Sequence, residues 1–199
     1  MKEYNIKIKF TNEQDNVFKA IALKANKNIK QILTIGREWQ IYNFGHIENW
    51  KPATGLIEEM GELAHAILKK AQGIREYTNY TGTDFALLDA LADATIYLAQ
   101  YASMEKLQFP EVIGWKNNPY EHEHQLLFSA ISDVGALLDP NRNEAPTKKQ
   151  IHVDIILEML SAIANIHGRE LEELTVEVWN KTVAPRDWKT YPETGRPPK

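Results

Sequence analysis

The chain has 199 residues, of which 43% are hydrophobic, and this is enough for one sizeable core. The net charge of −4 argues against a protein that coats nucleic acid, and the absence of cysteine excludes disulfide bonds and thiol catalysis. No apolar run approaches the roughly 18 residues of a membrane span, and the N-terminus lacks the apolar segment of a signal peptide. A cytoplasmic protein with neither nucleic-acid nor membrane partners is therefore expected.

The first fifty residues predict one strand and two helices. Residues 4–10 alternate between apolar and polar side chains, which is the period of a half-buried strand. A capping-box pattern opens a predicted helix over residues 11–24. Apolar spacing predicts a second helix over about residues 29–44, and a loop should follow at residues 46–51.

The most informative stretch runs from Gly55 to Tyr97 and predicts two helices joined by a polar loop at residues 76–84. In the first helix, apolar residues recur at steps of three and four: Leu56, Met60, Leu63 and Ile67. In the second helix a neighbouring apolar stripe consists of Leu88, Leu91, Thr95 and Leu98. The two stripes predict that these helices pack against the same core.

Both predicted helices carry acids that share a helix face. The acids are Glu58, Glu59 and Glu62 on the first helix and Asp89 and Asp93 on the second. Like charges at such spacing repel by a few tenths of a kcal/mol per pair, and a hard divalent cation relieves this repulsion. Facing helices with inward acids are one way of building a metal site in a bundle. The alternative is a solvated acidic face with no ligand.

These acidic segments resemble a known signature. The segment Glu58-Glu59-Met60-Gly61-Glu62 resembles the EExxE half of the motif of the MazG-like all-α nucleoside triphosphate pyrophosphohydrolases. The segment Asp89-Ala-Leu-Ala-Asp93 resembles the ExxD half, except that Ala90 stands where the family has Glu. Residues 171–189, which contain Arg-Asp-Trp, are similar to the closing helix of the family. The resemblance covers somewhat under half of the chain.

The resemblance implies an Mg²⁺-dependent enzyme, with Mn²⁺ as a substitute, that hydrolyses a nucleoside triphosphate to the monophosphate and pyrophosphate. The implied metal ligands are Glu59, Glu62, Asp89 and Asp93, and the implied catalytic residues are Glu58 and Glu59. A homodimer is expected. A related dUTP or phosphoribosyl-ATP hydrolase and a non-catalytic nucleotide-binding protein of the same fold remain alternatives.

Further candidates for substrate binding are aromatic or basic: Trp39, Trp50, Lys70, Tyr97, Lys181 and Arg186. Either tryptophan could stack on a base, and relatives place a tyrosine in the base pocket at the position of Tyr97. Ordinary core packing is the alternative for each of these rings. Lys70 could reach a phosphate, or it could complement the helix dipole in a last turn.

The second half of the chain partly repeats the first. Residues 127–134 align with 56–63, and residues 154–158 align with 89–93. This pattern is interpreted as a degenerate internal repeat, with chance helical periodicity as the alternative. Ser129 and Ala130 occupy the places of Glu58 and Glu59. The repeat therefore predicts that the first hairpin alone binds metal.

Helical patterns dominate and no βαβ alternation occurs, so the predicted class is a single all-α domain over residues 1–199. Its predicted core is a four-helix bundle built from two tandem helical hairpins, with flanking helices and the possible short N-terminal strand. The catalytic hairpin spans residues 55–105, and the degenerate second hairpin with its closing helix spans 122–183. Residues 190–199 contain three prolines and are expected to be extended or mobile.

Overall fold

A computed structural model describes residues 29–74, 83–109 and 122–195. Within these ranges it contains no strand, and its α-helices are α1 (Ile29–Phe44), α2 (Trp50–Ala71), α3 (Thr83–Met104), α4 (Glu123–Leu138), α5 (Pro146–Ile166) and α6 (Leu171–Val178). The predicted all-α class is confirmed for this part of the chain. The predicted strand at 4–10, the helix at 11–24 and most of the loop at 76–84 lie outside the described residues.

Helix α3 lies at the centre of the fold, where it contacts α1, α2, α5 and α6. Its alanine-rich sequence is apolar on nearly every side, which is typical of a helix surrounded by others. Leu87, Leu91 and Leu98 are fully buried. The most extensive helix contacts are those of α2 with α3 and of α4 with α5, the pairs that the sequence predicts as hairpins.

Helix α2 begins at Trp50, so the predicted loop at 46–51 is too long. Pro52 lies in the first turn, where its missing N–H group would have no helical acceptor in any case. All four residues of the predicted apolar stripe are buried: Leu56, Met60, Leu63 and Ile67. After the helix Gly73 adopts a φ of +69°, and the Ile74 N–H group donates to the Lys69 carbonyl at 3.2 Å. This closing pattern is a Schellman motif.

The last described part of the chain, residues 171–195, is called the closing segment and departs from a regular helix. Helix α6 ends at Val178 and continues as a π-helical turn over Trp179–Val183. Turns then fold the chain back, because the Asp187 N–H group donates to the Gly195 carbonyl at 2.7 Å. Residues 190–195 therefore form turns, and the expectation of an extended segment is wrong for them.

Two acids of the second hairpin have partners within the α4–α5 pair. Asp133 Oδ1 lies 2.7 Å from His152 Nδ1, and Asp154 Oδ1 accepts a 2.9 Å hydrogen bond from Gln150. Glu158 is exposed. The contacts of Asp133 and Asp154 both lie within the α4–α5 pair.

Among the described residues, no single helix is long and apolar enough to span a membrane. Helix α5 and the segment 171–183 meet the length and composition criteria only when taken together, across a bend of 90°. Many apolar residues of α5, including Val153, Ile156 and Leu160, are buried in the core.

Candidate functional site

A cavity of about 260 Å³ lies between α1, α2, α3 and the closing segment. Its size is close to the lower end of the range for small-molecule sites, which is roughly 300–1,000 Å³. Its polar lining consists of Glu59, Asp93, Arg186, Gln40 and Gln100. Charged and amide groups thus converge on a pocket that is otherwise aromatic and aliphatic.

Two acids from different helices meet at this cavity. Burial raises the pKa of Glu59 to about 8, and the nearby charges of Asp93, Glu62, Glu58 and Asp89 add to the shift. Burial also raises the pKa of Asp93 to about 7, with a further contribution from Asp89 that Arg186 partly offsets. It is therefore unfavourable for Glu59 and Asp93 to be ionised at the same time.

The other predicted acids surround this pair. Burial raises the pKa of Asp89, and its Oδ1 atom is buried without a hydrogen-bond partner in the described structure. Glu58 and Glu62 are exposed, yet both lie close enough for their charges to act on Glu59. As they stand, no three acidic or histidine side chains in the described ranges enclose a metal ion.

The chemistry of these donors fits a hard divalent cation. Carboxylate oxygens are the ligands that Mg²⁺ prefers, and the ion commonly keeps several of its waters and therefore uses few protein ligands. The unpartnered Asp89 oxygen and the raised pKa values of Glu59 and Asp93 both describe groups that a cation would stabilise. Glu62 lies at the exposed edge of the same set.

Aromatic rings form the walls of the cavity. The indole Nε1–H of Trp39 donates to the Arg186 carbonyl at 3.2 Å, and its ring packs edge-on against Trp179 at 5.9 Å. Burial raises the pKa of Tyr97, so its hydroxyl stays protonated and can donate. The Tyr97 ring rests on α2 at Gly55, where an added Cβ would meet ring atoms at 2.6 Å.

The closing segment supplies the remaining wall. The Trp188 N–H group donates to Asn43 Oδ1 at 2.7 Å, which fixes this segment to α1. The Arg186 guanidinium lies 5.8 Å from the Trp188 ring centre, and its charge partly offsets the rise in the pKa of Asp89 and of Asp93. Val183, the last residue of the π-helical turn, also lines the cavity. Such turns often occur at functional sites.

Three predicted substrate-binding residues do not line this cavity. Trp50 is 62% exposed, with the Lys51 ammonium 5.7 Å from its ring centre. The Lys70 ammonium pairs with Glu123 at 3.4 Å, on the side of α2 that faces α4. The Lys181 ammonium is exposed and pairs with Glu177.

The sequence analysis missed other lining residues, namely Gln40, Phe44, Ile96, Gln100, Val183 and Trp188. A signal exists for Gln100, because it follows Tyr97 by three residues on the face that carries Asp93. No comparable signal exists for Val183 or Trp188, since their positions depend on the π-helical turn and the fold of the tail.

No family model, curated protein or solved structure matches the chain. The fold and the cavity by themselves define, for the described residues, an all-α protein with an acid-lined pocket between α1, α2, α3 and the closing segment. The pocket holds oxygen donors, one guanidinium group and aromatic walls.

The raised pKa values predict how the stability of the metal-free protein depends on pH. Glu59 and Asp93 hold their protons more tightly in the folded state, against ordinary values of 4.5 and 3.8. Their stabilisation is fully present below about pH 4 and is lost as the pH rises through about 7 to 8. In a chelator, the melting temperature should be higher near about pH 5.5 than near about pH 8.5.

The matched control for this measurement is Glu59→Gln, which cannot ionise. The difference in melting temperature between the two pH values should shrink in that variant. An undiminished difference would assign the pH dependence to other groups.

Proposed function

We propose that this chain is an Mg²⁺-dependent nucleoside triphosphate pyrophosphohydrolase whose site is the cavity between α1, α2, α3 and the closing segment. The observation that carries the proposal is the convergence of Glu59 and Asp93, from two helices, beside Arg186. The motif-level resemblance to MazG-like enzymes concerns the same two acids and supports the same reaction.

The proposed reaction depends mainly on positioning and charge neutralisation. Glu59, Asp93 and Asp89 would hold the ion, with Glu62 completing the set from the rim. When bound, Mg²⁺ neutralises phosphate charge and acidifies a coordinated water. Glu58 is exposed beside the site and is the proposed base that accepts the proton of the attacking water. Mn²⁺ should replace Mg²⁺, because it accepts the same oxygen ligands.

The remaining lining would bind the nucleotide. The Arg186 guanidinium offers a fork of donors that suits phosphate oxygens. Trp39, Tyr97 and Trp188 provide apolar rings against which a sugar or base can pack. Because the Trp39 side chain also bonds to the Arg186 carbonyl, one contact joins the aromatic wall to the phosphate-binding wall.

One nucleotide–metal site per chain is predicted. In the second hairpin Ala130 offers no oxygen donor, and Asp133 is engaged by His152. Calorimetric titration with Mg²⁺ and a non-hydrolysable nucleoside triphosphate should therefore give a stoichiometry near one. Asp133→Ala should leave that stoichiometry unchanged, and two equivalent sites would contradict the prediction.

A nucleotide panel tests the proposal. Pyrophosphate release is measured for the common ribo- and deoxyribonucleoside triphosphates with Mg²⁺, with Mn²⁺ and with a chelator. Release that requires the metal supports the proposal, and preference for dUTP or phosphoribosyl-ATP would place the chain among the related hydrolases. Metal-dependent nucleotide binding without turnover would identify a non-catalytic binding protein.

We also infer a finer architecture, in which the pairs α2–α3 and α4–α5 are degenerate repeats that form a four-helix core. These two pairs make the most extensive helix–helix contacts among the described residues, which supports the inference. A cytoplasmic homodimer is part of the same proposal. Sedimentation equilibrium should give twice the mass of one chain, and a monomer at high concentration would contradict it.

A further inference from the structure

Two glutamine side chains form a buried pair inside the cavity. Gln40 on α1 is 7% exposed and Gln100 on α3 is 9% exposed. The Gln40 Nε2–H donates to Gln100 Oε1 at 3.0 Å. Burying two amides between helices is unfavourable unless their polar atoms find partners, so such a pair calls for an explanation.

The mutual hydrogen bond leaves part of each amide unused. An amide has one oxygen acceptor and two N–H donors, so the pair retains the Gln40 Oε1 acceptor and the Gln100 Nε2 donors. Within the described ranges neither atom has another protein partner. Both residues line the cavity, and a molecule bound there can supply the missing partners.

The pair lies at a definite distance from the acids. Asp93, Tyr97 and Gln100 occupy successive turns of α3 and all line the cavity. Seven residues of helix separate Asp93 from Gln100 by about 10 Å along the axis. Along α3 the cavity therefore presents a carboxylate, then an aromatic ring, then an amide. A nucleotide presents its groups in a matching order: a metal-bound phosphate, then a sugar, then a base.

We propose that the Gln40–Gln100 pair reads the hydrogen-bonding edge of the nucleobase and sets base specificity. The placement of the nucleotide rests on the proposed function. Aromatic rings stack on any base, so the walls alone discriminate little. A base with donors and acceptors in the wrong order leaves the buried amides unpaired, and this penalty produces strong discrimination.

The test measures the binding of uridine, cytidine, adenosine and guanosine to the full chain by calorimetry, without metal. Uridine and cytidine have nearly the same shape and differ in their donor and acceptor groups, as do adenosine and guanosine. In the wild type, dissociation constants within at least one pair should differ on the order of 100-fold. In the double variant Gln40→Met/Gln100→Met the difference should fall below about threefold, because both amides are removed together.

A second variant keeps the shape of the site. Gln100→Glu still accepts from Gln40 but replaces its free donor with an acceptor. It should shift the affinity ratio toward cytidine over uridine, because cytosine presents an amino group at the ring position where uracil presents a carbonyl oxygen. This variant decides the question if the double variant does not fold.

Equal binding within both pairs by the wild type, binding of no nucleoside, or unchanged ratios in the variants would overturn the inference. Turnover is assayed separately, so the two proposals can fail independently. Discrimination without pyrophosphate release would refute the hydrolase and leave the amide pair as the specificity element. Release without discrimination would do the opposite.

Discussion

Replacing Asp93 with Asn, or Glu59 with Gln, is expected to lower kcat/KM for nucleoside triphosphate hydrolysis by more than about 100-fold. Groups that act on a metal only through its ligands contribute up to about 100-fold, so removal of a ligand should exceed that value. Both substitutions keep the size of the side chain and remove its negative charge. Steady-state pyrophosphate release at saturating Mg²⁺ measures the effect.

The same substitutions should stabilise the metal-free protein at high pH, because each removes a carboxyl group whose ionised form is disfavoured by burial. A loss of activity together with a higher melting temperature at about pH 8.5 therefore separates a functional role from a folding defect. The matched control is Glu158→Gln, an exposed acid on α5 that aligns with Asp93 in the inferred repeat. It should change neither property, and parental activity in Asp93→Asn would remove α3 from the site.

Replacing Gly55 with Ala should destabilise the fold by about 1–3 kcal/mol, the usual range for overpacking a tight contact. The added Cβ would overlap the Tyr97 ring, whereas Gly61 on the same helix has open space around it. Gly61→Ala should therefore stabilise the protein by up to about 1 kcal/mol through helix propensity alone. In chemical denaturation, Gly55→Ala should lower the free energy of unfolding and Gly61→Ala should raise it.

A double-mutant cycle identifies the cause. In a Tyr97→Ala background the overlap is gone, and Gly55→Ala should then behave like Gly61→Ala. Because Tyr97 lines the cavity, Gly55→Ala alone should also raise KM. An equal destabilisation by Gly55→Ala in both backgrounds would show that the Tyr97 ring is not responsible.

Local periodicity was sufficient to predict most of the described helices. The predicted helix over residues 29–44 coincides with α1, and the apolar stripe of α2 is buried as expected. The ends of helices were predicted less accurately where a residue that usually marks a loop can also occupy a helical position. A loop was expected over residues 46–51, but Pro52 lies in the first turn, where a proline loses no helical hydrogen bond, and α2 therefore starts at Trp50.

The sequence also identified the acidic residues of α2, but it did not show which of them is buried. Glu58, Glu59 and Glu62 share one side of α2, and of these Glu59 is the one that lines the cavity. It follows the buried Leu56 by three residues and precedes the buried Leu63 by four, so it borders the apolar stripe. Helical spacing contained this information, although the shared motif gave all three acids equal weight.

The walls contributed by other segments could not be predicted locally. Trp188 reaches the cavity because the π-helical turn and the hydrogen bond to Asn43 direct the closing segment across α1, whereas Arg186 of the same segment was already among the candidate substrate-binding residues. Lys70 is a residue that the sequence proposed for the site but that the fold places elsewhere. It lies in the last turn of α2, and the sequence analysis therefore considered it for phosphate binding. Its partner is instead Glu123 of α4, which is distant in sequence and near only in the folded chain.

Product analysis by ³¹P NMR tests the proposed hydrolysis most directly. The purified chain is incubated with a preferred nucleoside triphosphate and Mg²⁺, and a parallel sample contains a chelator. The proposal predicts equal amounts of nucleoside monophosphate and pyrophosphate with Mg²⁺, and unchanged triphosphate with the chelator or in Glu59→Gln. Formation of the diphosphate and inorganic phosphate, or equal turnover in Glu59→Gln, would contradict it.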